Sequence, residues 1–182
     1  MPRFLALLRG INVGGRNKVA MADLRLIATD LGYTDVATYI QSGNLLFASE
    51  DEDAAGHART LERRIAERLR VRPVVVVISA ADLARALADH PFPHVSNPRI
   101  VHAAFAATEP TAAELAWIAA EVRRARANGS TDDAVVVGRT LYLLTPDGFG
   151  RSELAARLTA AAGPARNWAT VTRLAAMLTG AG

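Results

Sequence analysis

The chain has 182 residues, 51% of them hydrophobic and 21% charged, which supplies a packed core and excludes wholesale disorder. Its net charge is only +3 although the pI is near 9.9, so the basicity reflects arginine in place of lysine and is weak support for a nucleic-acid partner. It has no cysteine, which excludes disulfides, thiolate zinc sites and cysteine nucleophiles.

Phe4 to Leu8, "FLALL", reads as a buried strand; Arg9 ends the run too early for a secretion signal. A polar, glycine-rich loop follows. Met21, Leu24, Ile27, Ala28 and Leu31 then recur at helical spacing, and Gly32 stops the helix. "VATYIQ" from Val36 and "NLLFA" from Asn44 read as two strands joined by a tight turn at Ser42-Gly43. Ala58, Leu61, Ile65 and Leu69 form the core stripe of a second helix. "RPVVVVIS" closes the unit, and its β-branched run predicts a central strand.

Ser79 with Asp82 predicts a cap for a short helix, "AADLARALAD". After a proline-stiffened loop, "RIVHAAFAA" reads as a strand. Thr111 with Glu114 predicts a capping box for a helix whose core stripe is Leu115, Ile118, Ala119 and Val122. "DAVVVG" and "TLYLLT" form a hairpin across Gly138-Arg139. "PDGFG" enters a helix, "RSELAARLTAAA", stopped by Gly163-Pro164. Asn167 caps a last helix, "WATVTRLAAML", ended by Gly180.

The first half therefore reads β-α-β-β-α-β, the split βαβ arrangement. The second half reads α-β-α-β-β-α and then α. The expected fold class is α+β: two tandem ferredoxin-like halves related by duplication, spanning 1–79 and 80–182, with a helix at the C-terminus. No apolar run approaches the roughly 18 residues needed to span a bilayer, so a cytoplasmic protein with no membrane partner is expected.

Four polar loops carry the candidate binding residues. The first, between a strand and a helix, holds Arg9, Asn12, Gly14, Gly15, Arg16, Asn17 and Lys18, the only lysine of the chain. Unpaired N–H groups at a helix start attract anions, and glycine lets a backbone approach one. The loop lacks the spacing of a Walker loop or a dinucleotide fingerprint, so a polar turn accounts for it equally well. The second loop holds Gln41, Ser42 and Asn44, the third Gly150, Arg151 and Ser152, and the fourth Arg166, Asn167 and Trp168. Convergence of Arg9, Lys18, Arg151 and Arg166 would call for an anion or for carboxylates, with Asp23, Asp147 and Glu153 the nearest in sequence.

Catalytic and metal signals are absent from these loops. His90 and His94 lie among prolines, which rule out a helical metal-binding pair, and His102 sits on a strand and reads as packed. No cofactor and no catalytic residue is named by the sequence.

The stretches "ALLRGINVGGRNKVAMADLR", "TYIQSGNLLF", "PDGFGRSELAARL" and "RNWATVTRL" resemble, in order, the bacterial domain-of-unknown-function family 1697. Arg9, Gly10, Asn12, Gly14, Gly15, Asn17 and Lys18 match its first motif. Gln41, Ser42, Gly43 and Asn44 match the second, Gly150, Arg151 and Ser152 the third, and Arg166, Asn167 and Trp168 the fourth. The resemblance implies a two-part α+β fold built by duplication and no established activity. Ala169 departs from the family, which usually has asparagine there, and Pro164-Ala165 stand where a threonine is common.

The leading expectation is an anion-binding cleft between the halves for a phosphorylated or nucleotide-like small molecule. Arg9, Lys18, Arg151 and Arg166 would supply charge; Asn12, Asn17, Gln41 and Asn44 would orient the ligand, and Trp168 would give a stacking wall. A nucleic-acid-binding module ranks second, with Phe4 and Phe47 as the stacking candidates on the first half's strands. A structural or protein-interaction domain, its polar loops bonded to one another and to nearby carboxylates, ranks third.

Overall fold

A computed structural model describes residues 1–180. The chain is α+β, with two four-stranded antiparallel sheets and, among the described residues, six α-helices. Contacts divide it into two compact units: residues 1–84 with the chain from Leu174 onward, and Arg85–Arg173.

The first unit runs β1 (Arg3–Arg9), α1 (Met21–Asp30), β2 (Thr34–Thr38), β3 (Asn44–Ala48), α2 (Ala54–Leu69) and β4 (Val74–Ser79), with sheet order β2-β3-β1-β4. Successive strand side chains alternate between faces. Phe4, Ala6 and Leu8 of β1 therefore join Leu45 and Phe47 of β3 and Val75 and Val77 of β4 in a core with Leu24 and Ile27 of α1 and Leu61 and Ile65 of α2. Leu5 and Leu7, on the opposite side of β1, are also fully buried. Burial of both faces is why the strand is a continuous apolar run.

α3 (Ala80–Ala88) starts in the first unit and ends in the second. Its start is capped as the sequence predicts: the Ser79 hydroxyl donates to Asp82 at 2.9 Å and accepts from the Asp82 N–H at 3.1 Å. The second unit continues with β5 (Val101–Phe105), α4 (Ala112–Ala127), β6 (Asp133–Val137), β7 (Thr140–Leu144), a 3-10 turn (Phe149–Arg151), α5 (Glu153–Ala162), β8 (Ala165–Asn167) and α6 (Trp168–Thr179). Its sheet order, β6-β7-β5-β8, repeats that of the first unit. The Thr111–Glu114 capping box forms on α4, and Val137 pairs with Thr140 across the Gly138-Arg139 turn.

Four expectations are corrected. β4 lies at a sheet edge, not its centre; its β-branched run reflects burial, with Val75 to Ile78 all at 4% exposure or less. Residues 165–167 form a strand, β8, that the sequence does not announce: Ala165–Asn167 pairs with β5 before Asn167 turns its side chain to the next helix. On α4 only Ile118 and Val122 of the expected stripe are buried, while Leu115 and Ala119 are exposed. The first turns of that helix, residues 112–117, are exposed. Finally, β2 ends at Thr38, so residues 39–43, not Ser42-Gly43 alone, connect it to β3.

No helix among the described residues is long and apolar enough to cross a membrane.

Candidate functional site

Within the first unit, two connections meet at one end of the sheet. The β1–α1 connection, residues 10–20, is a miniature hairpin. Arg16 N–H donates to the Val13 carbonyl at 3.0 Å and Asn12 N–H to the Asn17 carbonyl at 3.0 Å. Gly14 and Gly15 form its tip with φ of 57° and 75°. Both values are positive, as a type I′ turn requires, and glycine adopts them without a Cβ clash.

The asparagines brace this hairpin. Asn12 donates one amide hydrogen to the Val19 carbonyl and the other to the Gln41 carbonyl, both at 2.9 Å, and accepts from the Val19 N–H at 2.9 Å. Asn17 donates to the Gly10 carbonyl at 2.8 Å. Asn12 and Asn17 both have φ near +50°, a region asparagine tolerates better than most residues.

The second connection, residues 39–43, is held on both sides. Asn44 is completely buried and donates to the Tyr39 carbonyl at 2.9 Å and to the Ser42 hydroxyl at 3.0 Å. Leu8 N–H donates to the Gly43 carbonyl at 2.8 Å. Gly43 has φ +78°, and a Cβ there would fall 2.8 Å from both Ile11 Cδ1 and Leu8 Cβ. Ile40 is half-exposed at φ +49°. For a β-branched residue this is a genuine outlier, held at a cost of about 1–3 kcal/mol.

The surface these connections present is cationic with an apolar rim. Arg16 and Lys18 are exposed, and neither side chain has a hydrogen bond or ion pair with a described residue. Val13 is 70% exposed and Ile40 51%. α1 begins beside them with Ala20 as its N-cap and no side-chain cap, so its first N–H groups, which have no intrahelical acceptor, gain none from that side chain. Arg9 sits half-buried at the end of β1.

In the second unit, Arg151 and Ser152 line a cavity of about 420 Å³ between the end of α4 and the start of α5. Arg151 Nε donates to the Asp147 carbonyl at 2.8 Å. Ser152 is buried; its hydroxyl donates to Asp132 Oδ2 at 2.7 Å and accepts from the Ala155 N–H at 2.9 Å, capping α5. Among the described residues Asp23, Asp147 and Glu153 form no ion pair, so the nearby arginines are not neutralised by those carboxylates.

Arg166, Asn167 and Trp168 do not line that cavity. Arg166 is 8% exposed, donates to the Ala165 carbonyl at 2.8 Å, and is pulled down to about 10 by burial. Asn167 donates to the Arg99 carbonyl at 3.1 Å and accepts from the Ala169 N–H at 3.0 Å. The Trp168 ring meets the edge of His90 at 4.1 Å. His90 Nδ1 accepts from the Phe92 N–H at 2.9 Å, which makes this nitrogen the unprotonated one.

Two buried rings were expected to be stacking candidates and are not available. Phe4 and Phe47 are at most 2% exposed and stack on each other at 5.5 Å. They pack with Tyr33 and with His57, a histidine that sequence reasoning passed over. His57 Nε2 lies 2.9 Å from the Asp51 carbonyl, which only accepts, so Nε2 carries the hydrogen and Nδ1 accepts from Tyr33 Oη at 2.9 Å. Burial, then the Asp51 charge, pushes the Tyr33 phenol up to about 12. His102 is packed on Phe149 at 4.1 Å; its Nδ1 is buried without a partner among the described residues, and burial lowers the imidazole to about 4.

A family described as a protein of unknown function (DUF1697) matches residues 1–142, and the chain belongs to it. The match takes in both first-unit connections and ends within β7, before Arg151 and Trp168. Among solved structures, the conserved bacterial protein SP0830 from Streptococcus pneumoniae is similar over 97% of this chain and 98% of its own, at 25% identity and a TM-score of 0.72. No curated protein matches.

Proposed function

We propose that this is a cytoplasmic protein that binds a phosphorylated or nucleotide-like small molecule on the platform formed by residues 10–20 and 39–43. Arg16 and Lys18 supply the charge, and backbone N–H groups at the Gly14-Gly15 tip and the start of α1 add donors. Val13 and Ile40 offer an apolar edge for a ring. Asn12, Asn17 and Asn44 position the platform through their bonds to backbone, with Gln41 and Ser42 at its rim. Arg9 adds charge at its base.

The observation that carries this reading is the cost of the platform. A β-branched residue and two asparagines are held at positive φ beside two cations with no partner among the described residues. Such strain concentrates at ligand sites. The expectation of a shared site is narrowed here to the first unit. Ser152, Asn167 and Trp168 each have partners within their own unit, and Arg151 and Arg166 are given no role in this platform. The shared strand order of the two sheets supports reading both units as ferredoxin-like copies from a duplication, with the repeat boundary near residue 79.

The test is a calorimetric and thermal-shift screen of sugar phosphates and nucleotides. A ligand at about 100 times its Kd stabilises by about 2.7 kcal/mol. Wild type is expected to gain stability with at least one of them, and Arg16→Gln with Lys18→Gln to gain none. A flat screen, or an undiminished gain in the double variant, removes the proposal.

A further inference from the structure

The cavity of the second unit has a chemistry different from that of the platform. Its volume of about 420 Å³ falls within the range of small-molecule sites. Glu121, on its wall, is largely buried and already neutralised: Arg157 Nε lies 2.8 Å from its Oε2, and Arg124 Nε 3.8 Å from the same oxygen. Two guanidiniums share one carboxylate, which leaves positive charge in excess at this side of the cavity. Arg124 is half-exposed and makes no other bond to a described residue.

Asp132 is the opposite case. It is 7% exposed, and no cation among the described residues pairs with it. Its one side-chain donor is the Ser152 hydroxyl, on Oδ2; Oδ1 accepts nothing from the described residues and is not sealed from solvent. In a wall this little exposed, a carboxylate oxygen open to the cavity attracts a positive group more strongly than a surface carboxylate does. Asp132 lines the same cavity as Arg124 and Arg151. A partner that enters from the cavity therefore meets a carboxylate acceptor and guanidinium donors together.

We propose that this cavity binds a small zwitterion of the free amino-acid type, its ammonium group on Asp132 Oδ1 and its carboxylate on Arg124 and Arg151. Ser152 is a positioning residue: by donating to Oδ2 and capping α5, it fixes which carboxylate oxygen faces the cavity. Glu153 and Asp147 lie at the same cavity with carboxylates that no described residue pairs, and they bias the site toward ligands with additional positive charge, such as lysine and arginine. This site uses second-unit residues alone and does not depend on the platform.

The experiment is a titration of the isotope-labelled full chain with free amino acids, their N-acetyl derivatives and their amides, followed by backbone NMR. Free lysine or arginine, added to about 10 mM, is expected to shift amides in 128–132 and 147–153. Loss of the ammonium by acetylation should weaken binding about tenfold or more, and loss of the carboxylate as the amide should weaken it several-fold. Asp132→Asn keeps the acceptor for Ser152 and should reproduce the acetylation loss. Arg124→Gln, at a half-exposed position, should remove the preference for the free carboxylate over the amide in a variant whose spectrum stays that of the folded chain. The proposal is overturned if no free amino acid shifts these amides, or if folded Asp132→Asn binds as wild type does. It is also overturned if acetylated and free ligands bind equally.

Discussion

The two units make the same β-to-α step in different ways. In the second, residues 106–111 join β5 to α4, and the Thr111–Glu114 capping box closes the helix start. In the first, residues 10–20 join β1 to α1 through a hairpin, leave α1 without a side-chain cap, and expose Arg16 and Lys18. The hairpin turn differs in the same sense: Gly138-Arg139 turns β6 into β7, while residues 39–43 with a strained Ile40 turn β2 into β3. One strand order is served by both constructions, so the fold itself does not require the longer one. The two largest elaborations of the first unit touch, through Asn12 and the Gln41 carbonyl.

The largest effect that would sharpen this contrast comes from the glycines of the two turns. Gly43→Ala meets both a positive φ and atoms at 2.8 Å, and is expected to cost about 3 kcal/mol, from left-handed strain plus overpacking. Gly138→Ala has open space around it and should cost about 1 kcal/mol. Equal denaturant midpoints for the two variants would break the claim that the first turn is tightly seated.

Next come the two helix entries. Asn12→Ala removes three side-chain hydrogen bonds at a positive φ and should cost about 2 kcal/mol, with faster amide exchange in residues 10–20. Thr111→Ala removes an exposed cap and should cost about 1 kcal/mol. If Asn12→Ala proves neutral, the bracing account fails.

The last contrast concerns the two histidines. His57 is bonded at both nitrogens, whereas His102 has an orphaned Nδ1. Because its folded value is lowered to about 4, the unfolded chain takes up this proton first as pH falls below about 6.5. His102 thus contributes a loss of stability between about 6.5 and 4. His102→Leu should flatten that part of a stability-against-pH curve. An unchanged acid limb would show that His102 is solvated when the protein is folded.

Local rules carried much of the fold. Thr111 with Glu114, Ser79 with Asp82 and Gly138-Arg139 each have one good physical use, and the structure puts them to it. Elements decided by distant partners were harder to read. β8 has three residues and is a strand because β5 lies beside it, and Leu115 looks like core although it is 42% exposed. β4 shows that a β-branched run reports burial and not position in the sheet. In the first loop a usable signal was present and overlooked: Val-Gly-Gly-Arg has the glycine pair favoured by a type I′ hairpin. Nothing local in the sequence foretells that Asn12 reaches Gln41, or that Asp132 meets Ser152, since each pairing depends on the folded sheet.

The most direct test of the functional account is a backbone-amide titration with the best ligand from the phosphate and nucleotide screen. The account predicts saturable shifts in residues 13–18 and 39–43, no shifts in residues 106–111, and loss of the response in Arg16→Gln with Lys18→Gln. A ligand that leaves 13–18 unmoved, or that shifts both connections alike, would contradict it.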